Sequence, residues 1–293
     1  MRSDKLNYYL QLQLIVFIWG FTSVLGALIS LDALSLVWFR MVFASLFIGI
    51  YAYFFKLDLT LTVKQLVFFL LAGSIIALHW FTFFKAIKVS NISITLACLS
   101  SGAFFVSVLK PLLTAQKVVY YEVVLGILVI VGLCILVHVE NMNIQGVILA
   151  LISAFLSALF SIINEIAVKQ HDSTVIAFYE LLGGVLFFTI ILSLTNSYSL
   201  VFFTLNWVDL VYLLVLSSVC TAYALITSVK IMKHLSAFTV MLSINLEPVY
   251  GIILAVLIFD EKEKMSTGFY VGAVIILVII LLNAFIKNKD VQE

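Results

Sequence analysis

A chain of 293 residues that is 64% hydrophobic and 11% charged, with a mean hydropathy of +1.24, cannot present the polar shell of a water-soluble domain, whose apolar share is about 45–50%. Its formal net charge of +1 supplies no basic face for phosphates, so nucleic acid is excluded as a partner. Cys98, Cys134 and Cys220 stand far apart inside apolar runs and give neither a disulfide framework nor a CxxC metal pair; they read as small packing residues.

A hydrocarbon core about 30 Å thick takes about 20 residues of helix, and about ten apolar runs meet that length. The runs are continuous rather than alternating every second residue, which predicts helices and not a barrel. The first covers 8–29 and holds Trp19, Thr22 and Ser23. It is too long for the apolar part of a signal peptide and shows no small-residue cleavage site before Asp32, so it is expected to remain as a span. The second, 33–55, carries Arg40, and the third, 65–86, carries His79 and Trp80. The fourth and fifth are 92–114 and 123–138. The sixth, 145–168, contains Asn164 and Glu165, and the seventh, 173–195, contains Tyr179 and Glu180. The eighth, 208–231, holds Tyr223, and the ninth, 236–259, holds Asn245, Glu247 and Pro248. The tenth covers 267–286.

Lysine and arginine near the span ends set the orientation. With the N-terminus inside, Arg2, Lys5, Lys56, Lys64, Lys117, Lys169, Lys230, Lys233, Lys287 and Lys289 are cytoplasmic. Only Lys85, Lys88, Lys262 and Lys264 are then external, and both termini face the cytoplasm. The last two external lysines sit among Asp260, Glu261 and Glu263, which reads as a solvated patch of mixed charge.

Self-similarity divides the chain. ALSLVWFRMVFASLFIGI (33–50) matches the pattern of STVIAFYELLGGVLFFTI (173–190), placing Phe39 over Tyr179 and Arg40 over Glu180. KAIKVSNISITLACLSS (85–101) corresponds to SVKIMKHLSAFTVMLSI (228–244), and EVVLGILVIVGLCIL (122–136) to GFYVGAVIILVIILL (268–282). Two halves of five spans follow, 1–142 and 143–293, and because five is odd the second enters the membrane from the opposite side. Such inverted repeats pack about a pseudo-two-fold axis in the membrane plane and leave a cavity between them that each side can reach in turn.

At this point the residues resemble the drug/metabolite transporter superfamily, and within it the EamA-like transporters. The resemblance rests on WGFTSVLGALIS (19–30), on Arg40 early in span two, on KAIKVSNISITLACLSS entering span four, and most distinctively on HLSAFTVMLSINLEPVYGIILAVLIFDEK (234–262), with its proline inside span nine and acidic end. It implies an all-α, ten-helix, basket-like carrier of two inverted five-helix repeats, moving amino acids or other small metabolites, usually outward, without ATP hydrolysis or a cofactor. The sequence departs from the pattern twice. Phe105 stands where the first repeat often has the counterpart of Pro248, which predicts a helix break in one half alone, Pro111 lying six residues further on. Thr22 and Ser23 replace a frequent asparagine.

Ionisable groups at membrane depth cost several kcal/mol and are functional candidates by default. At about 1.5 Å per residue, Glu247 lies near the midplane, Arg40 and His79 roughly 10 Å below the outer edge, and Glu180 at the mirror depth on the inner side. Glu247 is the expected coupling or substrate-orienting group, with Pro248 breaking the helix beside it so that free carbonyls line the cavity. The alternative is a purely structural pairing of Glu247 with Arg40. His79 reads equally as part of a proton path or as a helix-to-helix hydrogen bond, and Glu180 as a gate residue or a structural one. Lys110, Glu165 and Lys169 read as chains snorkelling to the interface. Trp19, Trp80, Tyr179 and Tyr223 are candidates for flanking an apolar part of a substrate, and Asn164 and Asn245 for binding a zwitterion or bonding across helices.

Phosphate-loop, HExxH, CxxC and GxSxG motifs are all missing from the sequence, so an enzyme is not expected. The reading is a secondary transporter of small organic solutes in the plasma membrane, an exporter with protons as the candidate coupling ion and a homodimer as an open assembly state. A non-transporting scaffold or sensor is the alternative.

Overall fold

The computed structural model describes residues 2–115, 117–121, 123–124, 127–128, 131, 143–195, 197–198, 200–260, 263–275 and 278. The described residues are helical and turn, with no strand among them. In chain order the helices are α1 (Arg2–Leu28), α2 (Ala33–Phe54), α3 (Val63–Val89), α4 (Ile92–Leu99), α5 (Gly102–Thr114), α6 (Ile144–Ala167) and α7 (Ser173–Leu194). After a 3₁₀ turn (Leu200–Phe203) come α8 (Trp207–Ser217), a π-helical turn (Ser218–Tyr223), α9 (Ala224–Ile231), α10 (Ala237–Ile244), α11 (Glu247–Phe259) and a helical run over 267–275.

Eight of the expected spans appear, each long and apolar enough to cross a membrane and each within a few residues of its anticipated limits. Most of the fifth and the latter part of the tenth, with Cys134, lie outside the described residues.

Local chemistry sets the helix starts. Asp32, Asn91, Asn143, Asp172, Asn206 and Ser236 each accept a backbone N–H of the first turn they precede, and Thr62 forms a reciprocal box with Gln65. Each such cap contributes about 1 kcal/mol and fixes where a span begins. In the exposed loop after α2, the hydroxyl and amide of Thr60 donate to Asp58 and hold its carboxyl below the usual carboxylate range.

Two spans are broken near mid-length. The α10–α11 break falls at Asn245–Leu246, where the pairs Asn245 N to Leu242 O and Leu246 N to Ser243 O tighten the chain to i→i−3 bonding. Pro248 sits in the first turn of α11, where a missing N–H leaves nothing unpaired. The break anticipated for one half occurs in both: α4 stops at Leu99 and α5 starts at Gly102, with Ser100 and Ser101 between them and no proline. Ser100 and Ser101 send their hydroxyls back to Leu96 O and Cys98 O, competing with the ladder as a proline would interrupt it. Pro111 lies inside α5 without ending it.

Segments from the first and second halves of the chain interleave. Helix α3 packs on α6 and α7, α2 on α7, α1 on α11, and α4 on α6 and α11. Small residues permit the closest of these contacts, as suits helices that lack a hydrophobic driving force in lipid. A Cβ on Gly73 would meet Glu180 O at 2.0 Å, and one on Gly183 would meet Leu70 O at 2.3 Å, so α3 and α7 touch backbone to backbone.

Two polar expectations are corrected. Glu263 is no solvated patch residue: it is buried and accepts from Ile92 N, Ser93 N and Ser93 Oγ, completing the start of α4. Lys110 and Glu165 do not snorkel apart; they form an ion pair at 2.8 Å, and the second oxygen of Glu165 accepts Ala237 N at the start of α10.

Candidate functional site

A cavity of about 80 Å³ lies among α1, α2, α3, α6, α9 and the α10–α11 break. It has room for a few waters and falls well below the 300–1,000 Å³ of a site for a drug-sized ligand. Its walls carry Arg40 and Glu247, 1% and 5% exposed, from opposite halves of the chain.

Arg40 owes its position to the π turn. Widening the helix at Ser218–Tyr223 lets Thr221 donate to Leu216 O, five residues back, and turns its oxygen toward α2, where Arg40 Nε donates to it at 2.6 Å. Nη2 reaches Cys220 O at 3.5 Å, and the guanidinium carbon lies 4.0 Å from the centre of the Trp80 ring. Such a face-on stack is worth about 2 kcal/mol when desolvated. Nη1 has no partner, and neither has the hydroxyl of Thr22 on the same cavity. No hydrogen bond or ion pair joins Arg40 to Glu247 among the described residues, so the cavity holds a basic and an acidic group that do not meet. Glu247 opens the first turn of α11, where the N-terminal partial charge of the helix favours a carboxylate.

His79 lines the same cavity and ties α3 to α6: Nδ1 donates to Ser153 O at 2.9 Å, and Ser153 Oγ donates back to His79 O at 3.0 Å. That bond fixes the Nδ1–H tautomer and leaves Nε2 as an acceptor without a protein partner among the described residues. Trp19 supplies a further aromatic wall.

Five other residues singled out in the sequence lie elsewhere or only behind the cavity. Tyr179 donates to Leu59 O in the loop after α2, fastening α7 to that loop. Tyr223 is 47% exposed on the outer surface of the bundle. Asn245 and Pro248 face a second, mostly apolar cavity of about 220 Å³ with Ala97, Ser100 and Tyr270. Glu180 is fully buried behind the wall, joined to it through Asn164, whose Nδ2 donates to Glu180 Oε1 at 3.0 Å.

Asp209, at the start of α8, accepts from Ser30 N at 2.8 Å, Ser30 Oγ at 2.5 Å and Asn206 Nδ2 at 2.7 Å, linking the end of α1 to α8, while Lys88 Nζ donates to Ile29 O at 3.0 Å. The cavity lining extends to Asn164, three residues from the end of α6, and to Met232, just after α9.

The sequence reading missed Thr221 and Asp209. A run of small polar residues inside an apolar span, SSVCTAY, was the available signal for the first, because hydroxyls that compete with the helix ladder mark distortions. For the second it was a carboxylate three residues after the capping Asn206. Among the described residues, no group of three His, Cys, Asp or Glu side chains could hold a metal ion.

Eight helices among the described residues that are long and apolar enough to cross a membrane define a multi-pass membrane protein. Residues 144–285 match the model of the EamA-like transporter family, so the second half of the chain is an EamA-like transporter module and the resemblance to the drug/metabolite transporter superfamily is borne out there. That family comprises membrane transporters of small solutes rather than enzymes. Among solved structures 27 chains match; one, described only as "Crystal structure of protein", aligns over 99% of this chain and 99% of its own with a TM-score of 0.69 at 14% identity, a likeness of fold. No curated protein matches.

Proposed function

We propose that the protein is a secondary carrier that exports small zwitterionic metabolites, amino acids among them, across the plasma membrane by alternating access. The carrying observation is the unpaired opposite charge in one small cavity: Arg40 with a free Nη1, and Glu247. A carboxylate seats on Nη1 beside the Thr22 hydroxyl, and an ammonium group turns toward Glu247. Each charge left alone costs several kcal/mol of desolvation, and a bound zwitterion offsets both at once. The cavity volume limits the solute to a compact one, and Trp19 and Trp80 flank its apolar part.

Two inverted five-span halves, joined near 142–143, underlie the alternation in this reading, and the paired breaks at 100–101 and 245–246 support it. With both termini in the cytoplasm, the Asp209–Ser30 contact closes the outer side and the cavity leads inward, the state in which an exporter loads.

Liposome counterflow tests the proposal. Liposomes preloaded with unlabelled glycine, alanine or serine should accelerate and then overshoot uptake of the labelled amino acid, saturably, and Arg40→Met and Glu247→Gln should each abolish the effect. A protein that binds none of these solutes and gives flux equal to empty liposomes would be a scaffold or sensor instead.

A further inference from the structure

Glu180 is the least exposed acid among the described residues, at 0%, and the cavity chemistry above does not use it. Its Oε1 accepts from Asn164 Nδ2 at 3.0 Å, and its Oε2 has no partner. Asn164, equally buried, also donates Nδ2 to Phe160 O at 3.2 Å and leaves Oδ1 without a donor. Two side chains already in contact therefore hold two empty acceptors, where buried polar atoms are normally satisfied.

No cation fills them. Helix α7 packs against α2, α3 and α9, and Asn164 brings α6 alongside. The charged and titratable side chains on the spanning parts of those helices are Arg40; Lys64, His79, Lys85 and Lys88; Lys230; and Glu165. Arg40 is held by Thr221 and Trp80, His79 by Ser153, Lys88 by Ile29 O, and Glu165 by Lys110 and Ala237 N. Lys64, Lys85 and Lys230 are exposed near helix ends. None lies within ion-pairing distance of Glu180. A carboxylic acid in place of a carboxylate removes the charge and turns Oε2 from an empty acceptor into a donor, with Asn164 Oδ1 the adjacent acceptor that lacks one.

We propose that Glu180 and Asn164 form a proton-binding site, separate from the Arg40 and Glu247 charges, with the proton on Glu180 Oε2 and Asn164 as its contact with cavity water. The O–H bond forms with a proton delivered by water at the Asn164 wall, and it breaks by returning the proton there. The surrounding packing gives this site a mechanical consequence. Glu180 is wholly buried, with its carboxyl against Asn164 and its backbone against α3 at Gly73, so ionisation in place strands a bare charge and proton loss goes with loosening of the packing around it. Only that consequence rests on the carrier reading; proton binding itself does not.

Infrared difference spectroscopy of the full chain in lipid nanodiscs, titrated with acid and base in water and in heavy water, reads the site directly. A protonated-carboxyl C=O band is expected at neutral pH, sensitive to heavy water, lost in Glu180→Gln and retained in Glu247→Gln. Asn164→Leu, which removes the donor to Oε1, should shift the band to higher frequency. If Glu180→Gln fails to fold, the Asn164→Leu spectrum decides alone: a shifted band supports the site and an unshifted one overturns it. A Glu180→Gln spectrum identical to wild type across the titration overturns the proposal, as does a band that disappears when sodium replaces N-methylglucamine, which would make this a sodium site. Counterflow plays no part in the readout, so the proton site and the transport reading fail separately.

Discussion

Replacing Asp209 with alanine removes three hydrogen bonds at the proposed outer closure in one step. Its carboxyl accepts Ser30 N, Ser30 Oγ and Asn206 Nδ2 at 2.8, 2.5 and 2.7 Å. The Asn206 bond lies within the first turn of α8, so only the two Ser30 bonds hold the closed arrangement; at about 1 kcal/mol each net of water's replacement, it loses about 2 kcal/mol. At about 1.4 kcal/mol per factor of ten, the fraction of molecules open at that end rises about 30-fold. Native Cys220 reports the change, since it is 3% exposed and lines the cavity. With Cys98 and Cys134 replaced by serine, a membrane-impermeant methanethiosulfonate applied from the Ser30 side should modify Cys220 at least ten times faster in Asp209→Ala than in the parent. Asp209→Asn keeps an acceptor for Ser30 N and should fall between them. Equal rates in all three proteins would show that these bonds do not hold the end closed.

Thr221→Val deletes the acceptor of Arg40 Nε while Thr221→Ser retains it; the valine form should lose about 1–3 kcal/mol in a micelle unfolding titration and the serine form under 1. Gly73→Ala forces a methyl to 2.0 Å from a backbone oxygen that cannot step aside, and should lower unfolding stability by about 1–3 kcal/mol or prevent folding, visible as loss of the monodisperse elution peak. Lys110→Met and Glu165→Gln each break the 2.8 Å ion pair, and Lys110→Met leaves Glu165 nearly buried on Ala237 N alone. Thermal unfolding of the two single variants and the double variant should therefore give a coupling of about 1–3 kcal/mol, with Lys110→Met the more damaging single change.

The limits and order of the eight described spans were legible because twenty-residue apolar runs and their caps are local signals: Asp32, Thr62, Asn91 and Asp172 announce helix starts within the sequence itself. Two candidates were legible too, since Arg40 and Glu247 stand out as ionisable groups inside apolar spans and both line one cavity. Azimuth was not. Spans with almost no polar face carry no periodic signal of which side meets protein, so Tyr223 and Trp80 look alike in sequence, yet the first is on the outer surface and the second lies under Arg40. The first-half break escaped for another reason: proline is the familiar cause, whereas Ser100 and Ser101 weaken a helix through bonds that form only after it does.

The joining of Glu247 to Pro248 resolves into one local device. A break at 245–246 creates a new helix start at membrane depth; proline tolerates its first turn, and the first-turn partial charge favours a carboxylate there. The first-half break at 100–101 has Gly102, Ala103 and Phe104 in the equivalent turn, so it offers an opening but no charge. The cation of the first half comes instead from Arg40, in α2. In the proposed carrier this asymmetry has a direct effect, because one charge rides on each moving half and a zwitterion spanning them bridges the halves. A solute with a single charge satisfies one side and leaves the other exposed to the desolvation penalty, so a methyl ester or an N-acetyl derivative of a transported amino acid should bind without overshoot in counterflow. Overshoot by either derivative equal to that of the parent amino acid would remove the need for both charges, and with it the reason for an acid beside a proline in the middle of this membrane span.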